Sequence, residues 1–432
     1  MTDNVNLRSL LENKLRPDLA RILKSAGRFV DKKGWSAYLV GGSVRDLLLD
    51  RSTLDLDILV EEHGLDFARG FARQHGGYFK LYRRFATAMV ILPGGKRVDV
   101  TTTRTERYPH PGALPDVLPG SLEEDLSRRD FTINAMAVSL NQNNFGELVD
   151  LCGGKRDLKE GIIRVLHEKS FRDDPTRIFR AVRFQQRLKF SIEQNTERLI
   201  RTAVNLRMFE KVSPERLRHE LELIFREPRP DRAIESMAGY NELRFIHPQL
   251  TYSDQLHRRF GRIRESYLWF RNNFPEEDVS RFRLFFGALI VSLPLPEMRQ
   301  TGEKFNISRK FIKNLSKLKK KEEELIGIIS SHGDVEPSRI YAILKPFPLE
   351  IAVMLLSWTA SEPAARRIKR YILKDRFAES ILTGDDLREM GIAPGPVYRK
   401  ILEALRAARL DGRVRNRREE IEMVSTLVDT GK

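Results

Sequence analysis

Leu39-Val40-Gly41-Gly42-Ser43-Val44-Arg45-Asp46, followed by Leu54-Asp55-Leu56-Asp57-Ile58-Leu59-Val60, is the stretch whose reading decides the fold. Trp35 to Val40 is a short apolar run that stops at paired glycines, and Val44 to Leu49 continues at helical spacing, which predicts strand, tight turn and helix. Leu54 to Val60 alternates leucine with aspartate before an apolar end, the period-two pattern of a strand with one polar face. Upstream, Leu7, Leu10, Leu11, Leu15, Leu19, Ile22 and Leu23 recur at helical spacing, so Asn4 to about Gly27 predicts a leading amphipathic helix. Downstream, Leu65 to His75 reads as helix, and Tyr78 to Leu92 and Lys96 to Thr103 as strands joined through Pro93-Gly94-Gly95. After Ser170 the strand signals stop, and from Pro175 to Phe225 and again from Val279 onward the chain reads as helix after helix. An α/β head with a mixed sheet, followed by an all-α remainder, is the architecture these patterns imply.

The totals narrow the function classes. At 432 residues the chain is too long for one ordinary core. Lys and Arg total 76 against 60 Asp and Glu, a formal charge of +16 that attracts polyanions such as nucleic acid. Cys152 is the single cysteine, so no internal disulfide forms, no Cys/His cluster suggests zinc, and a reducing compartment is expected. Met1 to Arg16 has scattered charges and no apolar core, unlike a secretory signal. No window approaches the roughly 18 apolar residues of a membrane helix. A basic, cytoplasmic protein is the expectation.

Asp55 and Asp57 stand two apart on a predicted strand, so both side chains leave the same face. Adjacent carboxylates repel unless a cation lies between them, and Mg²⁺ commonly takes one or two carboxylates together with substrate phosphates. Asp99, in Arg97-Val98-Asp99-Val100, is placed to add a third carboxylate from a neighbouring strand. Gly41-Gly42 at the turn allow close approach of a phosphate to the backbone, and Arg45 in the first helical turn can reach the same anion. A solvated strand face and an ordinary turn are the alternatives for each element taken alone.

Together these residues resemble the first motif of the superfamily of tRNA nucleotidyltransferases and bacterial poly(A) polymerases. Arg128-Arg129-Asp130-Phe131-Thr132-Ile133-Asn134-Ala135 is similar to its second motif, and Asp173-Asp174-Pro175-Thr176-Arg177-Ile178-Phe179-Arg180-Ala181-Val182-Arg183-Phe184 to its nucleotide-reading helix. Leu382-Thr383-Gly384-Asp385-Asp386-Leu387 with Pro394-Gly395-Pro396 resembles a tail element. The motifs occur in order over nearly the whole chain. One position departs: the reading helix of relatives opens Glu-Asp, whereas Asp173 here is one methylene shorter. The resemblance implies a nucleotidyltransferase head over 1–165, a helical neck for base recognition over 166–235 and a helical, tRNA-binding body and tail over 236–432. It implies in-line attack of an RNA 3′-hydroxyl on the α-phosphate of a nucleoside triphosphate, with Asp55, Asp57 and Asp99 holding Mg²⁺. Gly42 and Arg45 would cradle phosphates, and Arg128, Arg129, Asp130 and Asn134 would frame the ribose and triphosphate. The substrates implied are tRNA, through its acceptor stem and 3′ end, with ATP and CTP.

CTP and ATP each present an amino donor beside a ring-nitrogen acceptor, which a carboxylate and a guanidinium complement. Asp174 and Arg177 are three apart on the predicted helix and share a face, and Arg180 and Arg183 extend its basic edge. A competing reading is local: Asp174 before Pro175 is a common helix start, whereas base reading by Asp174 leaves the capping to Asp173. Between Thr103 and Leu126 lie Tyr108-Pro109-His110-Pro111-Gly112 and Pro119-Gly120, a turn-rich segment expected as a loop. In relatives that add the terminal adenosine the corresponding segment is a flexible loop, and relatives that add only CC are shortened there; the full-length segment of this chain implies that it can add A. Further on, Lys310, Lys313, Lys317 and Lys320 lie in a basic cluster with Lys304, Arg309, Lys319 and Lys321, and the tail adds Arg406, Arg409, Arg413, Arg415, Arg417 and Arg418. Such stripes suit RNA phosphates. None of the eight histidines is followed by Asp, so no His-Asp phosphohydrolase motif is present. A bacterial poly(A) polymerase shares every head motif and is the competing assignment.

Overall fold

A computed structural model describes residues 5–51, 56–331 and 333–430. The predicted Asp55 lies outside the described residues. By internal contacts the chain divides into two units, Met1–Glu227 with Gly239–Phe245, and Pro228–Ala238 with Ile246–Lys432.

The first unit is built on a seven-stranded mixed sheet. Its strands are β1 (Ala37–Val40), β2 (Leu56–Val60), β3 (Tyr78–Tyr82), β4 (Thr87–Leu92), β5 (Lys96–Thr102), and, after the pair β6 (Arg104–Arg107) and β7 (Asp116–Pro119), β8 (Met136–Ser139) and β9 (Leu148–Asp150). The order is β3-β4-β5-β2-β1-β8-β9, with β2 and β5 parallel and the other neighbours antiparallel. Period-two patterning gives β2, β4 and β5 one apolar face: Leu56, Ile58, Val60, Ala88, Val90, Leu92, Val98 and Val100 are buried, as are Phe67 and Phe71 of the helix Gly64–Gln74.

Three expectations are refined. The leading helix is two helices, Arg8–Asn13 and Pro17–Asp31, because Pro17 cannot donate to the preceding turn and instead opens the second. The run from Tyr78 to Leu92 is two strands separated by Arg83–Phe85 and by Ala86, which adopts φ 49°. The expected loop between Thr103 and Leu126 is an ordered hairpin: β6 pairs with β7 from Arg104↔Pro119 to Arg107↔Asp116, and a capping box of Ser121 and Glu124 starts the helix Leu122–Ser127. Tyr108 to Pro115 form its tip, whereas Pro119 closes β7 at the open end and Gly120 follows it.

Beyond the sheet this unit continues in helices, among them Thr176–Leu188, Gln194–Asn205 and Pro214–Arg226. The second unit is helical throughout its described residues. Its helix Leu349–Trp358 is buried from Ile351 to Trp358. The tail motif is a capping box: Thr383 accepts from Asp386 N–H while the Asp386 carboxylate accepts from Thr383 N–H, and Leu382, Leu387, Ile401, Leu405 and Val424 form the small core beneath it. No single described helix is long and apolar enough to cross a membrane.

Candidate functional site

The parallel register of β2 and β5 sets Asp57 directly opposite Asp99. Neighbouring strands are about 4.8 Å apart and paired residues share a face, so two hard oxygen donors stand side by side. Arg97, two residues before Asp99 and on the same face, donates to it through Nε at 2.9 Å and lies within 2.9 Å through Nη2. Two carboxylates in register fit a Mg²⁺ ion that also takes phosphate oxygens, with the guanidinium now balancing the charge of Asp99. Among the described residues no group of three His, Cys, Asp or Glu side chains converges on one point.

The turn before the helix Gly42–Leu48 depends on Gly41 rather than Gly42. Gly41 has φ 67°, and a Cβ there would come within 3.1 Å of the Arg129 guanidinium. Gly42 lines the site in an ordinary conformation, and Ser43 accepts from the Asp57 N–H at 3.3 Å.

Arg45 is only 4% exposed. It is held from both ends, by Asp46 through Nε at 2.9 Å and by Asn134 Oδ1 through Nη1 at 2.6 Å. Asn134 in turn donates to Asp130 Oδ1 at 3.0 Å, while Arg180 grips Asp130 Oδ2 through Nε at 2.8 Å and Nη2 at 2.5 Å. Burial raises the Asp130 carboxyl, but the Arg180 guanidinium and the Asn134 amide overcome it and hold the group down at about 2. A continuous polar relay thus joins the first motif to the helix Thr176–Leu188. The guanidiniums of Arg45, Arg180 and Arg183 all lie over the Phe184 ring, at 5.0, 5.7 and 5.7 Å. Arg183 makes no ion pair among the described residues.

Arg128 and Arg129 share the fully buried Asp125: Arg128 Nη2 lies 2.5 Å from Oδ1 and Arg129 Nη2 2.9 Å from Oδ2. Arg128 also reaches Glu106 at 2.6 Å. Sequence reading missed Asp125, although its spacing of three and four from the arginines that end its helix is a detectable signal.

Asp174 does not lie on the helix with Arg177 as expected. It precedes it, in an extended conformation, and starts the helix: Oδ1 accepts from Thr176 N–H at 3.0 Å and from the Thr176 hydroxyl at 2.6 Å. Capping falls to Asp174, not Asp173. Oδ1 also receives Arg216 Nη2 at 2.9 Å, while Arg216 Nη1 donates to the Gly112 carbonyl at 2.8 Å. The hairpin tip is therefore fastened beside the Asp174 carboxylate, and Gly112 N–H donates to the Asp173 carbonyl at 3.2 Å. Arg177 is buried, donating to Ser170 Oγ and to the Arg128 carbonyl, each at 2.8 Å.

Most of the predicted site residues face one cavity of about 790 Å³. Gly42, Arg45, Asp57, Arg128, Arg129, Asp130, Asn134, Asp174, Arg177, Arg180 and Arg183 line it, and Asp99 adjoins through its strand pairing with Asp57. Nine arginines face six carboxylates in its wall, an excess that favours a polyanion of nucleotide size. Arg104, Glu106, Tyr108, Arg187, Arg216 and Glu220 were not legible as site residues. Burial pushes the Glu220 carboxyl up, against the pull of Arg180 and Arg183.

In the second unit, Lys310, Lys313, Lys317 and Lys320 are exposed on one face of the helix Arg309–Ser330. Lys319 departs from that stripe: its ammonium donates to the Val291 carbonyl at 2.7 Å and to that of Leu293, satisfying carbonyls at a helix end. The tail arginines are largely ion-paired, Arg409 with Glu420, Arg413 with Asp411, Arg417 with Asp386 and Arg418 with Glu422.

Residues 37–164 match the family model of the poly(A) polymerase head domain, and residues 189–253 that of the probable RNA- and SrmB-binding site of polymerase A. Over 419 residues the chain is 39% identical to the A-adding tRNA nucleotidyltransferase of Geobacter sulfurreducens, an alignment covering 96% of this chain and 48% of that protein. It therefore spans about half the length of that relative. It is 30% identical over 433 residues to the A-adding tRNA nucleotidyltransferase of Halalkalibacterium halodurans, covering 96% of this chain and 94% of the relative. The solved structure of the Thermotoga maritima CCA-adding enzyme complexed with tRNA superposes with a TM-score of 0.83 at 33% identity, covering 99% of this chain and 100% of that one. The glycine-turn, Arg-Arg-Asp and Asp-Asp-Pro motifs of this sequence meet in one cavity, and the Halalkalibacterium and Thermotoga proteins match it over nearly their whole length: this chain belongs to the family of tRNA nucleotidyltransferases that share the poly(A) polymerase head domain.

Proposed function

We propose that this chain extends the 3′ end of tRNA without a nucleic-acid template, adding at least the terminal adenosine from ATP and releasing pyrophosphate. The observation that carries the reading is the arginine-rich cavity that joins Asp57 to Asp174 and Arg177. In the reaction the RNA 3′-hydroxyl oxygen forms a bond to the α-phosphorus as the α–β anhydride breaks, and its proton passes to solvent. Arg183 and Arg180 face the phosphates, and Arg45 backs them from beneath through Asn134 and Asp130. Asp57, Asp99 and Asp55 would hold Mg²⁺, which when bound supplies Lewis-acid stabilisation of the hydroxyl and of the leaving oxygens.

Selection falls to Asp174 and Arg177. Oδ1 of Asp174 is occupied by Thr176 and Arg216, which leaves Oδ2 as the acceptor for an exocyclic amino group. A guanine or uracil would set a carbonyl against that oxygen, and a buried mismatch of this kind rejects a substrate by roughly 10⁴-fold. The names of the relatives at 39% and 30% identity favour adenosine addition over tailing. A substrate of this kind puts the enzyme in the cytoplasm.

The test is to incubate the protein with tRNAs ending before C74, after C74 and after C75, one triphosphate at a time, beside an unstructured RNA of equal length. One AMP added to the tRNA ending at C75 is expected. A long adenosine ladder on the unstructured RNA would assign it instead to poly(A) synthesis.

A further inference from the structure

The face of the sheet that carries the catalytic carboxylates does not end at β5. Strand register extends it outward: Asp57 pairs with Asp99, Asp99 with Met89, and Met89 with Lys80 on the edge strand β3. Paired residues share a face, so one row runs from the carboxylates to the sheet edge. Tyr78 and Tyr82 flank Lys80 at two-residue spacing on that same face.

The two faces of these strands differ sharply. The opposite one, with Ala88, Val90, Leu92, Val98 and Val100, is buried. On the carboxylate face Tyr78 is 65% exposed and Tyr82 41%, and Lys80 lies over the Tyr82 ring at 5.3 Å. Large aromatics left in water on an edge strand, interleaved with cations, have the composition of a single-strand stacking platform. Arg97 continues the cationic lining beside Tyr78, across Ile91.

Resting on the tRNA-extending function proposed above, we infer that this face binds the unpaired 3′-terminal strand of the RNA primer, with Tyr78 and Tyr82 stacking on its bases. Two observations favour RNA over a second protein. The face is continuous with Asp57 and Asp99, where the primer hydroxyl must arrive. It also presents no carboxylate on β3 or β4, so a second copy would bring like charge against like. Distance fixes which nucleotides are held. Lys80 lies two strand spacings, about 10 Å, from Asp99. At the roughly 3.4 Å rise of stacked nucleotides, that is about three nucleotides back from the reacting hydroxyl.

The experiment compares wild type, Tyr78→Ala/Tyr82→Ala and Tyr78→Phe/Tyr82→Phe on an acceptor-stem minihelix ending in CC. Wild type must first add AMP to that RNA; failure there defeats the functional reading, before any variant is compared. The alanine pair is expected to raise the KM and Kd for the minihelix by about tenfold or more, given the worth of base–aromatic stacking. Its KM for ATP should stay within twofold, and the phenylalanine pair should behave as wild type. A minihelix abasic at the second and third positions from the 3′ end should weaken wild type by a similar factor, yet weaken the alanine pair no further. An unchanged minihelix KM in the alanine pair overturns the inference, as does equal sensitivity of both proteins to the abasic RNA. Self-association of wild type in sedimentation that the alanine pair abolishes would also overturn it, by assigning the face to a second copy.

Discussion

Arg216 Nη2 lies 2.9 Å from Oδ1 of Asp174. Because the same guanidinium donates from Nη1 to the Gly112 carbonyl, one side chain on the helix Pro214–Arg226 fastens both the hairpin tip and the carboxylate at the start of the helix Thr176–Leu188. Fixing an acceptor in place matters more for selection than for folding. Arg216→Ala is expected to lower the ratio of kcat/KM for ATP over UTP by about tenfold, or 1.4 kcal/mol. The loss in stability should stay near the 1.5–3 kcal/mol typical of hydrogen bonds to charged groups. An unchanged nucleotide ratio would show that Arg216 braces the neck only.

The register of β2 and β5 leads to a different expectation for the carboxylates. Asp57 is half-buried on the polar face of its strand, and its neighbours Leu56 and Ile58 supply the packing on the other. Asp57→Ala should therefore melt close to wild type and bind tRNA nearly as well. Incorporation should fall by at least about 10³-fold, some 4 kcal/mol of transition-state stabilisation. Substantial activity in excess Mg²⁺ would contradict its assignment as a metal ligand.

What the sequence disclosed and what it hid follow from the range of the interactions. Leu-Asp-Leu-Asp alternation shows its polar face locally, so Asp57 and its partner strand were legible. Helical spacing made the Lys310, Lys313, Lys317, Lys320 stripe equally visible. The hairpin was hidden because turn formers fill its tip and end its second strand at Pro119, and its strands, Arg-Thr-Glu-Arg and Asp-Val-Leu-Pro, carry no apolar alternation. Arg216 lies 42 residues from Asp174 and Asn134 lies 89 from Arg45, separations across which no periodicity acts. Lys319 looks like its neighbours in sequence, and only the fold turns its ammonium onto the Val291 carbonyl.

Glu242 provides a test of the fold apart from the site. It is fully buried, neither carboxyl oxygen has a hydrogen-bond partner among the described residues, and burial raises its pKa well above the ordinary value. A raised folded-state pKa contributes stability that is complete below the unfolded value and is lost as pH rises through the folded one. Each unit of difference is worth about 1.4 kcal/mol at high pH. Glu242→Met removes both the charge and the unpaired oxygens at similar volume. Its Tm should exceed that of wild type at pH 8–9, and the gap should narrow toward pH 5. A gap independent of pH would mean that Glu242 binds its proton no more tightly in the folded protein than in the unfolded chain.

Base selection is tested most directly at Asp174, because the structure fixes which way a replacement amide must point. Oδ1 receives the Thr176 N–H, the Thr176 hydroxyl and Arg216, three donors that the side-chain amide oxygen can retain in Asp174→Asn. The amide nitrogen is then forced into the place of Oδ2, so a donor replaces the acceptor offered to the base. Helix capping is preserved, since Asn and Asp are about equal at helix starts. Only the charge of the Arg216 pair is lost, at an exposure where such pairs are worth about 1 kcal/mol or less. Uracil presents a carbonyl where cytosine presents an amino group, and the new donor complements it. Asp174→Asn should therefore raise UTP incorporation relative to CTP or ATP by at least about tenfold, equivalent to 1.4 kcal/mol, while the melting temperature moves by only a few degrees. Unaltered selectivity in a well-folded variant would reduce Asp174 to a helix cap and remove base reading from this carboxylate.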